Sequence, residues 1–350
     1  MMQETIHTGL IGFGLSGRVF HAPFLHTHPG FHLTAVVERH TEKAKEIYPY
    51  VETVKDYRDL LNDERLDLLV LAVPNIHHFP MARDALLAGK DIIIEKPFVP
   101  RSAEADELIA ISRDTGKRIF VYQNRRWDGD FLTISKLLEE GSLGMIRYYE
   151  AHFDRYRPEI KAGSWRDEDI PGGGILYDLG SHLIDQALCL FGMPEALAAE
   201  IRSERTGSPV DDYFRLELQY PDKTAVLTAG MMVKEKGPRF IVEGTNGSFS
   251  KWGSDPQEAA LKAGAMPAGD NWGSDAPENY GILNKGEAVP QDPLRLPTEK
   301  GNYMAFYDNV FENLFKNKAP AVRPEEARDV IFIIEKAFEC RNTGQASRIR

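Results

Sequence analysis

The sequence predicts an α/β protein with an N-terminal doubly wound parallel sheet, followed by an α+β domain built on a large, mostly antiparallel open sheet. Three observations predict it. From Ile6 to about Gln123, short apolar, β-branched runs (HTGLIGFG, LTAVVE, LDLLVLAV, DIIIEK, RIFVYQ) alternate with helix-like stretches such as SAEADELIAISRDTG. That is the pattern of parallel strands covered on both faces. The first run leads directly into Gly12-Phe13-Gly14-Leu15-Ser16-Gly17, a glycine-rich strand-to-helix turn. Beyond Arg126 the strand candidates lengthen and alternate in character, as half-exposed antiparallel strands do.

In the second half, FLTISKLLEEGSLG reads as a helix. IRYYEAHFDRY, DDYFRLELQY, TAVLTAGMM and RFIVEGTNGSF follow as strands with meander-like spacing. Lys251 to Lys300, rich in Gly, Pro, Asp and Asn, reads as a long irregular excursion of the kind that serves a site or an interface. NYMAFYDNVFENLF and EEARDVIFIIEKAFECRN close the chain as amphipathic helices. The boundary between domains falls near Tyr122 to Asn124, giving residues 1–123 and 124–350.

A chain of 350 residues accommodates two such domains, each with its own core. With 42% hydrophobic and 27% charged residues it is too apolar for disorder, and no uncharged apolar run is long enough to span a bilayer. A formal charge of −11 with only short mixed basic clusters argues against nucleic acid as a partner. Cys189 and Cys340 lie far apart in apolar helical contexts and read as buried thiols in a reducing compartment, not as a disulfide framework or a zinc site. No metal is expected. MMQETIHTGLIGFG shows no basic segment followed by an apolar core and a cleavage site, so the expected location is cytoplasmic.

Four segments carry chemistry. In the glycine turn, Gly12 permits the tight bend, Gly14 lets backbone approach a pyrophosphate, and Gly17 allows close packing of a helix whose N–H groups face the anion. A plain glycine turn is the competing reading, but the strand before it and the βαβ pattern after it favour dinucleotide binding. Pro23 should shorten or kink the following helix, and His21 reads as a helix-terminal histidine. The second segment, VVE followed by Arg39, supplies Glu38 for a ribose 2′-hydroxyl and Arg39 for a 2′-phosphate, unless both belong to a solvated turn. The third comprises Pro74, Asn75, His77 and His78 at one strand end, and Glu95-Lys96-Pro97 at another, where ligands of open α/β sheets bind. Taken alone, such a lysine and histidine could be plain surface residues. The fourth is GGGILYDLGSHLID, in which Asp178 and His182 stand four apart at the start of a helix with Leu179, Leu183, Ile184, Ala187 and Leu188 on its other face. A carboxylate so placed can orient a proton-exchanging imidazole, or else only cap the helix while His182 lies on the surface.

The succession GFGLSG, VPNIHH, EKP, QNRRWD and GGGILYDLGSHLID resembles the glucose–fructose oxidoreductase / inositol dehydrogenase / MocA (Gfo/Idh/MocA) family of NAD(P)-dependent oxidoreductases along essentially the whole chain. GLSGRVFHAPFL, QNRRWDGDFLT, RYRPE and LYDLGSHLIDQAL are similar to its scyllo-inositol dehydrogenase branch. The resemblance implies an N-terminal Rossmann domain, and a second domain that binds substrate and pairs subunits through its exposed sheet face into a homodimer or homotetramer. It implies Lys96, Asp178 and His182 as the catalytic group. Cofactor contacts are implied for Gly12 to Gly17, Glu38, Arg39, Pro74, Asn75, His78, Glu95, Lys96, Asn124 and Arg125. Substrate contacts are implied for Lys96, Asn124, Arg125, Asp154, Tyr156, Trp165, Asp178 and His182.

The implied activity is hydride transfer between NAD(P) and a secondary alcohol of a cyclic polyol or sugar. His182 would take the hydroxyl proton, Asp178 would orient the imidazole, and Lys96 would steady the alkoxide. Two rivals are a non-catalytic nucleotide-binding regulator, for which a proton relay has no use, and a glycosidase that uses bound NAD without consuming it. Arg39, with Lys43 nearby, and the inositol branch put the expected cofactor at NADP, with NAD as the alternative. That expectation requires Glu38 to turn aside, for instance toward Arg39. Arg155, Arg157, Lys161 and Arg166 are expected to pair with Glu159, Asp167 and Glu168 more than to hold an acidic substrate.

Overall fold

The computed structural model describes residues 5–161, 163–285 and 294–349. Its chain divides into two compact units. The first comprises Met1–Asn124, Gln257–Trp272 and Tyr303–Arg328; the second comprises Arg125–Pro256, Gly273–Asn302 and Asp329–Arg350.

The first unit is a six-stranded parallel sheet of β1 (Ile6–Ile11), β2 (Phe31–Val37), β3 (Glu52–Val54), β4 (Leu68–Leu71), β5 (Asp91–Glu95) and β6 (Ile119–Tyr122). The strand order is β3-β2-β1-β4-β5-β6, which reverses direction between β1 and β4. Leu68 to Leu71 and Ile92 to Ile94 are wholly inaccessible, as strands covered on both faces require. The connecting helices are α1 (Ala22–Thr27), α2 (Lys43–Ile47), α3 (Tyr57–Leu61), α4 (His78–Leu87) and α5 (Ser102–Thr115). Gly116 ends α5 in the left-handed conformation, the usual glycine helix stop.

The second unit opens with α6 (Gly129–Glu139), β7 (Ile146–Asp154) and α7 (Ser181–Phe191). It continues through β8 (Ala196–Arg202), β9 (Tyr213–Gln219), β10 (Thr224–Gly230), β11 (Phe240–Gly244) and β12 (Gly247–Lys251). After α8 (Gln257–Lys262), which belongs to the first unit, come β13 (Gly281–Lys285) and β14 (Leu294–Leu296). Then follow α9 (Met304–Lys316), also of the first unit, α10 (Pro324–Thr343) and β15 (Ser347–Arg348). The nine-stranded sheet runs β14-β13-β12-β11-β7-β10-β9-β8-β15. Only its β7–β10 pair is parallel among the described residues. Val330, Ile331, Ile333, Ile334, Ala337 and Cys340 of α10 are buried, and Cys340 Sγ lies 3.5 Å from the Leu197 carbonyl oxygen on β8.

Three features differ from the sequence expectation. The chain after residue 123 is not one contiguous domain, because α8 and α9 pack with the first unit. Phe306, Tyr307 and Val310 of α9 are buried there, and Tyr307 stacks on Phe24 of α1 at 5.2 Å. The stretch from Lys251 to Lys300 is not irregular: it carries α8 and the two strands β13 and β14, while residues 286–293 lie outside the described residues. Residues 1–4 of the N-terminal reading lie outside them too. Cys189 is exposed, whereas Cys340 is buried as expected. Among the described residues, no helix is long and apolar enough to cross a membrane.

Candidate active site

The chain turns at Gly12 immediately after β1, at the point where the sheet order reverses. Gly12 has φ +97°, and a Cβ there would lie 2.6 Å from the Ala72 carbonyl oxygen that follows β4. Gly17 is equally constrained, since its Cβ would lie 2.1 Å from the Gly12 carbonyl oxygen. Gly14, exposed at the tip, would meet nothing within 4 Å. Two glycines therefore serve the fold, and the third leaves backbone open to an incoming group. This is the arrangement a pyrophosphate needs at a helix start, and the residues fit a dinucleotide. Phe13 is buried beneath the turn and Leu15 is exposed.

Pro23 does not interrupt the helical run, which continues from residue 15 to 27, but it alters the ladder before it. Gly17–His21 forms a π-helical turn, and α1 begins at Ala22 with Pro23 in its first turn. Proline has no N–H to continue the ladder, and the run changes from π-helical to α-helical there. His21 is not a plain helix-terminal histidine. It is wholly buried, with Nε2 3.1 Å from Glu95 Oε1 and Nδ1 2.8 Å from Tyr307 Oη. The Glu95 carboxylate also accepts from the Ser16 hydroxyl and, at 3.1 Å, from the backbone N–H of Lys96. Burial alone would raise its pKa, but the hydrogen bonds from His21 and Ser16 outweigh burial and hold it below the usual range. Lys96 itself is half-buried and followed by a cis peptide to Pro97.

At the end of β2, the Glu38 carboxylate is buried and turned aside, though not toward Arg39. It accepts from the Thr41 hydroxyl and, at 2.8 Å, from the N–H of Ala44 in the first turn of α2. Arg39 and Lys43 are exposed. After β4, Pro74 precedes a 3₁₀ turn, Asn75–His77, in which Asn75 is buried. His78, expected against the cofactor, has its ring bonded within the unit. Its ring is wholly enclosed, with Nδ1 2.9 Å from the Pro97 carbonyl oxygen and Nε2 3.0 Å from that of Val73. Enclosure lowers its pKa, and the ring acts as a bracket between the segments after β4 and β5.

In the second unit, Asp178 sits on a second π-helical turn, Leu176–Gly180, that runs into α7, whose second residue is His182. Ser181, His182, Asp185 and Gln186 are buried together with the apolar residues of α7, so His182 is no surface residue. The turn is held from outside by Asp211, whose backbone oxygen accepts from Ile175 N–H at 3.0 Å and whose Oδ2 accepts from Leu176 N–H at 2.8 Å. Burial raises the Asp211 carboxyl to about 6. Gly174, φ +89°, is required because a Cβ there would lie 2.1 Å from Asp211 Oδ1. Arg166 Nε is 3.2 Å from Asp178 Oδ1, and its guanidinium lies 4.5 Å over the Trp165 ring. Arg166 therefore pairs with Asp178 and not with its acidic chain neighbours, and Asp167 is bound by Arg205 at 2.7 Å.

Arg125 is buried, with Nη1 3.1 Å from Asp128 Oδ2 and its guanidinium 4.8 Å over Phe153, whose ring Arg239 also approaches, at 3.7 Å. Asn124 is buried beside Arg125 in the chain. Arg126 forks onto Asp185, at 2.9 and 2.7 Å, joining the NRRW segment to the helix of His182. Asp154 ends β7 with Oδ2 3.2 Å from His152 Nδ1, and Tyr156 is exposed under the Lys234 ammonium at 4.8 Å. The sequence reading missed Asp185, Asp211 and Arg239. The first stands three residues after His182, and the second opens the Asp-Asp pair before β9.

A model of an oxidoreductase family's NAD-binding Rossmann fold matches residues 6–123, and that family's C-terminal α/β domain matches residues 135–349. The chain belongs to the Gfo/Idh/MocA oxidoreductase family. It is a dehydrogenase whose first unit holds the family's NAD-binding domain. It is 39% identical over 336 residues to the scyllo-inositol 2-dehydrogenase (NADP(+)) of Bacillus subtilis, covering 96% of this chain and 94% of that protein. An uncharacterized oxidoreductase of Escherichia coli is 39% identical over 97% of both chains. Among solved structures, a proposed oxidoreductase of Bacillus subtilis superposes with a TM-score of 0.96 at 38% identity over 100% of both chains. One from Yersinia pestis gives 0.92 at 40% identity, over 100% of this chain and 98% of that one.

Proposed function

We propose that this dehydrogenase interconverts a ring secondary alcohol of a cyclic polyol, scyllo-inositol foremost, and its ketone, with NADP preferred to NAD. The observation that carries the reading is the similarity to the Bacillus scyllo-inositol 2-dehydrogenase (NADP(+)) along nearly the full length of both proteins. In the reaction His182 takes the hydroxyl proton, Asp178 orients its ring, and Arg166 steadies Asp178 in turn. The Lys96 ammonium stabilises the oxygen as it becomes alkoxide. When bound, the nicotinamide supplies the hydride acceptor or donor.

The NADP preference is supported by Glu38, whose carboxylate is engaged by Thr41 and Ala44 and so is withdrawn from a ribose 2′-hydroxyl. Arg39 then remains as the exposed cation beside it. The exposed face of the nine-stranded sheet is taken as the pairing surface of a homodimer or homotetramer. The testing experiment is a panel of inositols, sugars and acyclic alcohols read at the nicotinamide absorbance with NADP and NAD in parallel. Faster turnover of scyllo-inositol or its keto form than of open-chain alcohols is expected. Activity confined to acyclic alcohols would overturn the substrate class.

A further inference from the structure

We infer that His21 is a positioning residue: through Glu95 it holds the dinucleotide turn and the backbone of Lys96 in one fixed relation. The inference rests on the functional reading above for the role of Lys96, and on the chain's own contacts for the rest. All of the groups belong to the first unit.

The ring is held from both sides. The Tyr307 hydroxyl lies 3.0 Å from the Phe20 carbonyl oxygen and 2.8 Å from His21 Nδ1, and so ties the ring to α9. On the far side of the ring, Nε2 faces a carboxylate oxygen at 3.1 Å, and a carboxylate held ionised by its neighbours only accepts. His21 therefore donates from Nε2 to Glu95, while its Nδ1 is anchored on α9. The ring is pinned further by Tyr122 of β6, whose ring centroid lies 4.5 Å away.

Glu95 passes that constraint on in two directions. One oxygen takes the Ser16 hydroxyl inside the glycine turn, and the other takes the N–H of Lys96. Ser16 lies between Gly14, where backbone is open, and Gly17, where it is fully packed. One buried carboxylate thus ties the loop that receives a pyrophosphate to the residue proposed to polarise substrate oxygen. His21 keeps that carboxylate ionised and aimed. The π-helical turn Gly17–His21 places the imidazole there, because Pro23 alters the preceding ladder and shifts the residue's angular position.

The experiment compares His21→Leu, His21→Gln and Tyr307→Phe with the unaltered protein. It measures dissociation constants for NADPH and NADH by nicotinamide fluorescence, kcat and KM with the best polyol, and the melting temperature without ligand. His21→Leu is expected to weaken both dinucleotides about equally, by about tenfold, as expected for losing one charge-assisted hydrogen bond. It should also lower kcat. His21→Gln, which returns an N–H to Glu95, should recover most of the affinity. Tyr307→Phe, which removes the anchor on Nδ1 together with the hydrogen bond to the Phe20 carbonyl oxygen, should weaken binding about threefold, and it decides the matter if His21→Leu does not fold. Unchanged affinity and kcat in folded variants would overturn the inference. So would a lowered melting temperature without change in either, or a loss in His21→Gln equal to that in His21→Leu. An unaltered protein that binds NADPH but turns over no alcohol would instead overturn the functional reading.

Discussion

Gly14 and Gly17 are both glycines of one turn, yet the structure gives them opposite consequences on substitution. In Gly17→Ala the new Cβ starts 2.1 Å from the Gly12 carbonyl oxygen, and ordinary contact would require the backbone to part by about 1 Å. Overpacking of that kind costs about 1 to 3 kcal/mol, offset in part by the roughly 1 kcal/mol that alanine gains over glycine in a helical turn. In Gly14→Ala the Cβ meets no atom within 4 Å, so stability should stay within about 0.5 kcal/mol of the unaltered protein. The same methyl occupies the space into which a pyrophosphate must come. NADPH affinity should fall by about ten- to a hundredfold, the equivalent of about 1.4 to 2.7 kcal/mol. Denaturant unfolding of the ligand-free proteins gives the first comparison, and fluorescence titration with NADPH gives the second. Gly14→Ala that unfolds early, or that binds NADPH as tightly as the unaltered protein, would refute the assignment of that space to the dinucleotide.

Two further outcomes follow from single contacts. Arg39→Ala should raise the KM for NADPH by about tenfold, the loss of one charge-assisted phosphate contact, and leave that for NADH unchanged. A preference for NADH indifferent to Arg39 would show that the cation does not read the 2′-phosphate. The raised Asp211 carboxyl has a signed effect on stability. Its value of about 6, against 3.8 for an ordinary aspartate, means the folded state binds the proton more tightly. Stability from this group is therefore full below about pH 4 and lost as pH rises through about 6. The loss amounts to no more than about 3 kcal/mol. Asp211→Asn keeps an acceptor for Leu176 N–H without the buried charge. Its stability relative to the unaltered protein should rise between pH 4 and pH 7.5, and a difference that is flat or falls with pH contradicts the burial argument.

The chemistry-bearing segments were legible because each couples a residue type to a strand end or helix start: the glycine turn after β1, Lys96 after β5, Asp178 and His182 at α7. What was not legible has physical causes. The strand β3 has three residues, too few to show a period, and β8 (ALAAEIR) lacks a β-branched run. An apolar face shows that a helix is buried but not against which core, so α9 could not be allotted to the first unit. The two π-helical turns depend on a five-residue ladder that the hydrophobic period does not encode, and they carry His21 in one case and Asp178 in the other. Long-range pairings such as His21 with Glu95 and Tyr307, or Asp211 with Leu176, exist only once the chain has folded.

The central claim is that Lys96 and His182 carry the charge and proton work of a nicotinamide-dependent oxidation. Its most direct test is steady-state turnover of scyllo-inositol with NADP by Lys96→Met and His182→Ala, measured beside NADPH affinity. The account predicts affinity close to that of the unaltered protein in both and kcat lower by a factor of about 10² or more, as for loss of a positioned acid–base group. Turnover near that of the unaltered protein in both variants would contradict it.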